Sequence, residues 1–134
     1  LEIIKINLKE NDIISAKKNT LKLLNDSKLS SIYKTAIATN ISYNFIDLVS
    51  KKNQDEIIDF INKLLSYIDE TLESYQGYKI EIQYLLSLIE YEGNNNFSIS
   101  LKSQELFKLI QENDKISSLI KERVKKIHEF QKYK

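Results

Sequence analysis

Proline is absent from this chain, and glycine occurs only at Gly77 and Gly93. These are the strongest helix breakers, proline because it removes a backbone donor and clashes with the preceding turn, glycine because of its conformational entropy. A chain nearly without them is free to build long helices, and the spacing of its apolar residues shows that it does. Ile57, Ile61, Leu64, Leu65, Ile68 and Leu72 recur at steps of three and four, which marks one buried stripe of a helix over Asp55–Ser74. Asn53 and Glu56 stand three apart at its start, as in an Asn-type capping box, and Gly77 lies just beyond its end, where a left-handed stop is expected.

The same pattern predicts five further helices. Those over about Lys28–Ser50 (Ile32, Ala36, Ile37, Ile41, Phe45, Leu48, Val49) and about Tyr78–Glu92 (Ile80, Ile82, Tyr84, Leu85, Leu86, Leu88, Ile89, Tyr91) are apolar on more than one face. Each therefore packs on two neighbours. Narrower stripes mark about Asn11–Asn25 (Ile14, Leu21, Leu24), Ser98–Glu112 (Leu101, Leu106, Leu109, Ile110) and Lys115–Lys132 (Ile116, Leu119, Ile120, Val124, Ile127, Phe130). Short polar connections make neighbours antiparallel. The fold class is all-α, with about six antiparallel helices stacked as hairpins in a right-handed array; a closed helical bundle is the alternative. A shift that lays Asn53 on Asn95 also lays Ile57 on Ile99, Leu64 on Leu106, Leu65 on Phe107 and Ile68 on Ile110, as a repeated hairpin would.

At 134 residues the chain reads as one domain, 1–134, and because it opens on Leu1 it is read as a fragment of a longer protein. Cysteine is absent, which removes disulfides, thiolate metal sites and cysteine nucleophiles, and fits a reducing, cytoplasmic setting. The formal charge is +1 and Arg123 is the sole arginine, so direct nucleic-acid contact is not expected. No apolar run approaches the ~20 residues of a membrane span, and Leu1–Lys9 lacks the features of a signal peptide.

His128 is the only histidine, which leaves no histidine pair for a metal and no triad. The carboxylates Asp55, Glu56 and Asp59 fit the positive end of a helix, and Asp69, Glu70 and Glu73 fit a solvated face. Neither glycine belongs to a phosphate-cradling loop. No enzyme, cofactor or metal is expected. One motif outside the apolar stripes is a basic end, with Lys115, Lys121, Arg123, Lys125, Lys126, Lys132 and Lys134 against Glu122 and Glu129.

The candidate binding residues lie on the two inner helices. Tyr33, Ile37, Asn40, Asn44 and Leu48 share one stripe, and Tyr84 and Tyr91 stand seven apart on the other helix. On a concave face, an asparagine amide can pair with the backbone of an extended peptide, and tyrosines supply flat apolar walls with a polar tip. The rival reading makes the asparagines interhelical bridges and the tyrosines core residues.

The segment from Tyr84 to Phe107 resembles a degenerate tetratricopeptide repeat, through Tyr84, Tyr91, the turn at Asn95, Phe97 and the small Ser100. Leu88, Gln104 and Phe107 depart from that pattern, and the period exceeds the usual ~34 residues. Long divergent hairpins of this sort, with the Lys, Asn, Ile and Tyr excess of an AT-rich bacterial genome, resemble the C-terminal sensor domains of the Rgg, PlcR and Rap peptide-pheromone regulators. The resemblance implies peptide binding through Asn40 and Asn44 and a role in transcription regulation. The expectation is a non-catalytic domain that binds a peptide or protein; the alternative is a compact bundle that masks one specific protein, as an immunity factor or surface adhesin does.

Overall fold

A computed structural model of the chain describes residues 1–92 and 100–132. These residues form seven α-helices and no strand: α1 Glu2–Lys9, α2 Ile13–Leu24, α3 Ser31–Ile46, α4 Gln54–Leu65, α5 Glu73–Glu92, α6 Leu101–Glu112 and α7 Ser118–Lys132. The fold is all-α, with one helix more than the periodicity indicated. The extra one is α1, which buries Ile4 and Leu8 against α2. The chain divides into two compact units, Leu1–Asp69 and Glu70–Lys134.

In the first unit α1 packs on α2, α2 on α3 and α3 on α4. Asn11 makes the turn into α2 with φ of 59°, a left-handed conformation that asparagine tolerates better than most residues. Asp12 then caps α2 by accepting from the Ser15 N–H at 3.1 Å, and Ser30 caps α3 by accepting from Tyr33 N–H at 3.4 Å. Buried hydroxyls on the inner faces are satisfied within their own helices: Thr20 donates to the Ala16 carbonyl at 2.6 Å and Ser42 to the Ala38 carbonyl at 2.7 Å. Thr39 differs, because its buried hydroxyl has no hydrogen-bond partner among the described residues.

Helix α4 departs from expectation at both ends. Asn53 is its N-cap residue, yet its side chain makes no capping bond. Its Oδ1 accepts from Ser50 N–H at 2.7 Å and its Nδ2 donates to the Leu48 carbonyl at 3.0 Å, so the amide folds the α3–α4 turn. Glu56 reaches Lys17 at 3.1 Å instead of closing a capping box. The helix stops at Leu65, well short of Ser74, although no glycine or proline intervenes. The stop is tertiary. Thr35 Oγ1 accepts from Asp69 N–H at 3.0 Å and donates to the Tyr67 carbonyl at 3.4 Å, while Ser31 donates to Asp69 Oδ2 at 3.1 Å. Backbone groups held by α3 cannot also continue α4.

In the second unit α5, α6 and α7 each pack on the other two. Its core is Tyr84, Leu88, Ile110, Ile116, Ile120 and Val124. Gly77 lies inside α5 and is no C-terminal stop. Its missing side chain lets α7 approach: a Cβ there would stand 2.8 Å from Ile120 Cδ1 and 3.2 Å from Ile116 Cγ2. Two polar clasps hold α7 to α5. Arg123 donates to Glu81 through Nε at 2.7 Å and Nη2 at 2.6 Å, a fork-on-carboxylate pair. The Tyr84 hydroxyl lies 2.8 Å from His128 Nδ1, and the His128 ring stacks on Phe107 at 4.0 Å between centroids.

Several apolar residues read as core face outward. Ile14, Ile32, Leu101, Leu109, Leu119 and Phe130 are all more than half exposed. They stand well round their helices from the buried face: at 100° per residue Leu101 falls 180° from the buried Ile110, Leu119 100° from Ile120 and Ile14 120° from Thr20. The proposed repeat shift does not map helix onto helix either, because α4 runs Gln54–Leu65 and its counterpart α6 runs Leu101–Glu112. Asn95 and Ile99, on which part of that alignment rests, lie outside the described residues.

Candidate functional site

The residues that carry the binding reading sit on α3. Its inner face holds Thr35, Ala38, Thr39, Ile41, Ser42 and Phe45, all buried. The alternation of small and large residues there lets the helix seat closely, with Phe45 against Phe60 of α4 at 5.0 Å between ring centroids. That seating fixes which way the other side points. Tyr33 and Asn40 are exposed and Ile37 and Asn44 half-buried, so the stripe read from the sequence is the outward face of α3. Leu48, its fifth member, falls beyond the helix end, in the turn held by Asn53.

The two asparagines are bonded to each other. Asn44 Nδ2 donates to the Asn40 backbone carbonyl at 2.9 Å and to Asn40 Oδ1 at 3.1 Å. Both donors of one amide and one acceptor of the other are thereby used within the helix. What remains, among the described residues, is the Asn40 NH2 and the Asn44 Oδ1, a donor and an acceptor side by side on a fixed scaffold. One N–H and one C=O of a peptide backbone are their complement. Tyr33, two turns before Asn40, and Ile37 between them add apolar surface on the same stripe.

Tyr84 is placed differently from the groove wall that the sequence suggested. It is fully buried in the second unit, its ring packed in the core and its hydroxyl on His128. Burial pushes its phenol up to about 12, so the hydroxyl stays protonated and can donate to Nδ1. It presents no face to a partner. The side chain of Tyr91 lies outside the described residues, as do the Asn95 and Phe97 positions of the tetratricopeptide resemblance.

The sequence reading passed over both clasps of the second unit. A signal was present for each. His128 continues the four-residue spacing of Ile116, Ile120 and Val124, and Glu81 falls four residues after Gly77 and four before Leu85, both on buried stripes. A charged or polar residue on such a stripe needs a partner. The sequence does not say which residue that is, because Arg123 lies 42 positions from Glu81.

No group of three or more His, Asp or Glu that could hold a metal ion occurs among the described residues. The acidic trio at the start of α4 puts Asp55 and Glu56 in its first turn, where the helix dipole favours them. No helix of the described residues is long and apolar enough to cross a membrane. Comparison with protein-family models, with curated proteins and with solved structures gives no match.

Proposed function

We propose that the chain is a non-catalytic helical domain that binds a peptide or a protein segment, with the outward face of α3 as its recognition surface. The supporting observation is the Asn40–Asn44 pair, which holds one free donor and one free acceptor in fixed register beside Tyr33 and Ile37. Asparagines that only bridged helices would be spent on another helix; these are spent on each other. A short extended segment would lay one peptide unit across the amides and an apolar side chain against Tyr33. Each backbone bond would contribute about 0.5–1.5 kcal/mol, so the tyrosine and isoleucine must supply the rest. The resemblance to peptide-pheromone sensors gives this reading its most specific form, a cytoplasmic peptide sensor within a bacterial regulator.

The test is selection of a displayed library of random short peptides on the chain. Measured affinities of the selected peptides should fall at least tenfold on Asn40→Ala/Asn44→Ala and on Tyr33→Ala, with the circular dichroism unchanged. Peptides that bind the variants as tightly as the wild type, or a library that yields no binders, would overturn the assignment.

A further inference from the structure

The stretch of α3 that carries the Asn40–Asn44 pair holds no formal charge. The nearest charged residues along the helix are Lys34 and Asp47, about 20 Å apart on its axis. Within about 60° of arc from Asn40 lie Tyr33, Ala36, Ile37, Tyr43 and Asn44, all uncharged, until Asp47 closes the stripe at the C-cap. Tyr33 and Asn40 are exposed, and Ala36, Ile37, Tyr43 and Asn44 half-buried.

The other charges of the first unit stand at the ends of this stripe or away from it. Asp26 and Lys28 lie in the turn before α3, where Asp69 is bonded to Ser31. Lys51 and Lys52 follow Asp47 in the turn after it. On α2, Lys18 and Lys22 are about 160° round the helix from the buried Thr20. On α4, Asp55, Asp59 and Lys63 are at least about 120° from the buried Ile57 and Ile61. Lys17 and Glu56 are bonded to each other, Asp12 caps α2, and the charges of α1 ride on a helix that packs on α2. Both signs therefore occur at each end of the stripe, and its middle is neutral.

On the reading that the outward face of α3 binds a peptide, we propose that its ligand is an uncharged, largely apolar segment of about six residues in extended conformation. The length follows from the roughly 20 Å between Lys34 and Asp47 at about 3.3 Å per extended residue. The extended form follows from what the asparagines leave over. An amide N–H and an amide oxygen call for a backbone C=O and N–H, and a helix spends those groups on itself. A second copy of α3, or any other helix, is therefore the poorer occupant. Neutrality follows from desolvation: an ionised side chain pressed between Tyr33 and Asn44 loses water and meets no counter-ion. At either end of the segment a charge of either sign finds an opposite one nearby.

The test is selection on the wild-type chain from a displayed library of random peptides longer than the site, then a charge scan of the tightest binder. Lys and, separately, Asp replace each of its residues in turn, with Gln and Asn as uncharged controls of similar size. At about three or four adjacent central positions both charges should lower affinity about tenfold or more, and the controls less. Outside that block a charge should change affinity less than about threefold. The circular dichroism difference on binding should show no gain of helix. Binders that lose affinity on Asn40→Ala/Asn44→Ala yet accept charge at every position, or that bind as helices, would overturn this proposal and leave α3 as the binding face. Binders indifferent to the asparagine variants, or a library without binders, would overturn that face itself and this proposal with it.

Discussion

Replacing Gly77 with alanine should lower stability, although the same change in an exposed helix would raise it. Alanine gains about 1 kcal/mol over glycine inside a helix. Against this, the new Cβ would stand 2.8 Å from Ile120 Cδ1 and 3.2 Å from Ile116 Cγ2, where carbon pairs prefer 3.5–4.0 Å. Ile120 Cδ1 ends a flexible side chain, but Ile116 and Ile120 are each only 4% exposed, so neither has open space to turn into. Overpacking of this kind costs about 1–3 kcal/mol, and the net change is a loss of about 0–2 kcal/mol. The decisive measurement is a double-mutant cycle with Ile120→Val, followed by urea denaturation and far-ultraviolet circular dichroism. Ile120→Val alone deletes Cδ1 and should cost about 0.5–1.5 kcal/mol. Combined with Gly77→Ala it removes the closest clash, so the double variant should be about 1–2 kcal/mol more stable than the sum of the single changes. Additivity within about 0.5 kcal/mol, or a Gly77→Ala variant that gains the full helix-propensity term, would refute close approach of α7 at this glycine.

The Glu81–Arg123 clasp predicts an asymmetry. Arg123→Ala deprives a 1%-exposed carboxylate of its guanidinium and should cost about 3–5 kcal/mol, whereas Glu81→Gln leaves a half-exposed cation and should cost about 1–2 kcal/mol by the same denaturation assay. Equal losses would show that burial of the carboxylate is not what makes the pair matter. Tyr84, pushed up from its ordinary 10 to about 12, ionises more readily in the unfolded chain. Stability should be insensitive to this group below pH 10 and fall between pH 10 and 12, by at most about 2–3 kcal/mol. Urea midpoints over that range should lose part of their slope in Tyr84→Phe; an unchanged slope would contradict the shift. Thr39→Val removes the one buried side-chain polar atom without a hydrogen bond among the described residues and should be neutral or stabilising by about 1 kcal/mol, measured as a thermal midpoint.

The one cap read from the sequence, Asn53, makes no capping bond, and the caps that do form went unread. Asp12, Ser30 and Ser100 each accept from a backbone N–H three residues on, a local pattern written in the sequence. The end of α4 was not legible, because Thr35 and Asp69 end it from 34 residues apart and no local breaker marks the spot. Gly77 misled for a related reason. A glycine near a helix boundary signals either a left-handed stop or a close approach, and only the position of Ile120 tells them apart. The outward stripe of α3 was readable from periodicity alone, since Tyr33, Ile37, Asn40 and Asn44 oppose a run of small and apolar residues. Leu101, Leu109, Leu119 and Phe130 count into their stripes because they are apolar, although they stand about 180° and 100° from Ile110 on α6 and 100° and 80° from Ile120 on α7.

The order of packing in the first unit bears on how that unit is made. Because α1 rests on α2, α2 on α3 and α3 on α4, each helix finds its chief partner in the segment just synthesised, at little cost in loop closure. Such a unit can assemble as it leaves the ribosome, one hairpin at a time. It should also come apart from its first helix inward. Helix α1, held mainly by Ile4 and Leu8, should exchange its amide hydrogens through local opening long before α3, whose inner face is buried along its length. The face that carries Asn40 and Asn44 would then stand on the slowest-exchanging part of the unit, still shaped for a partner while the first helix breathes.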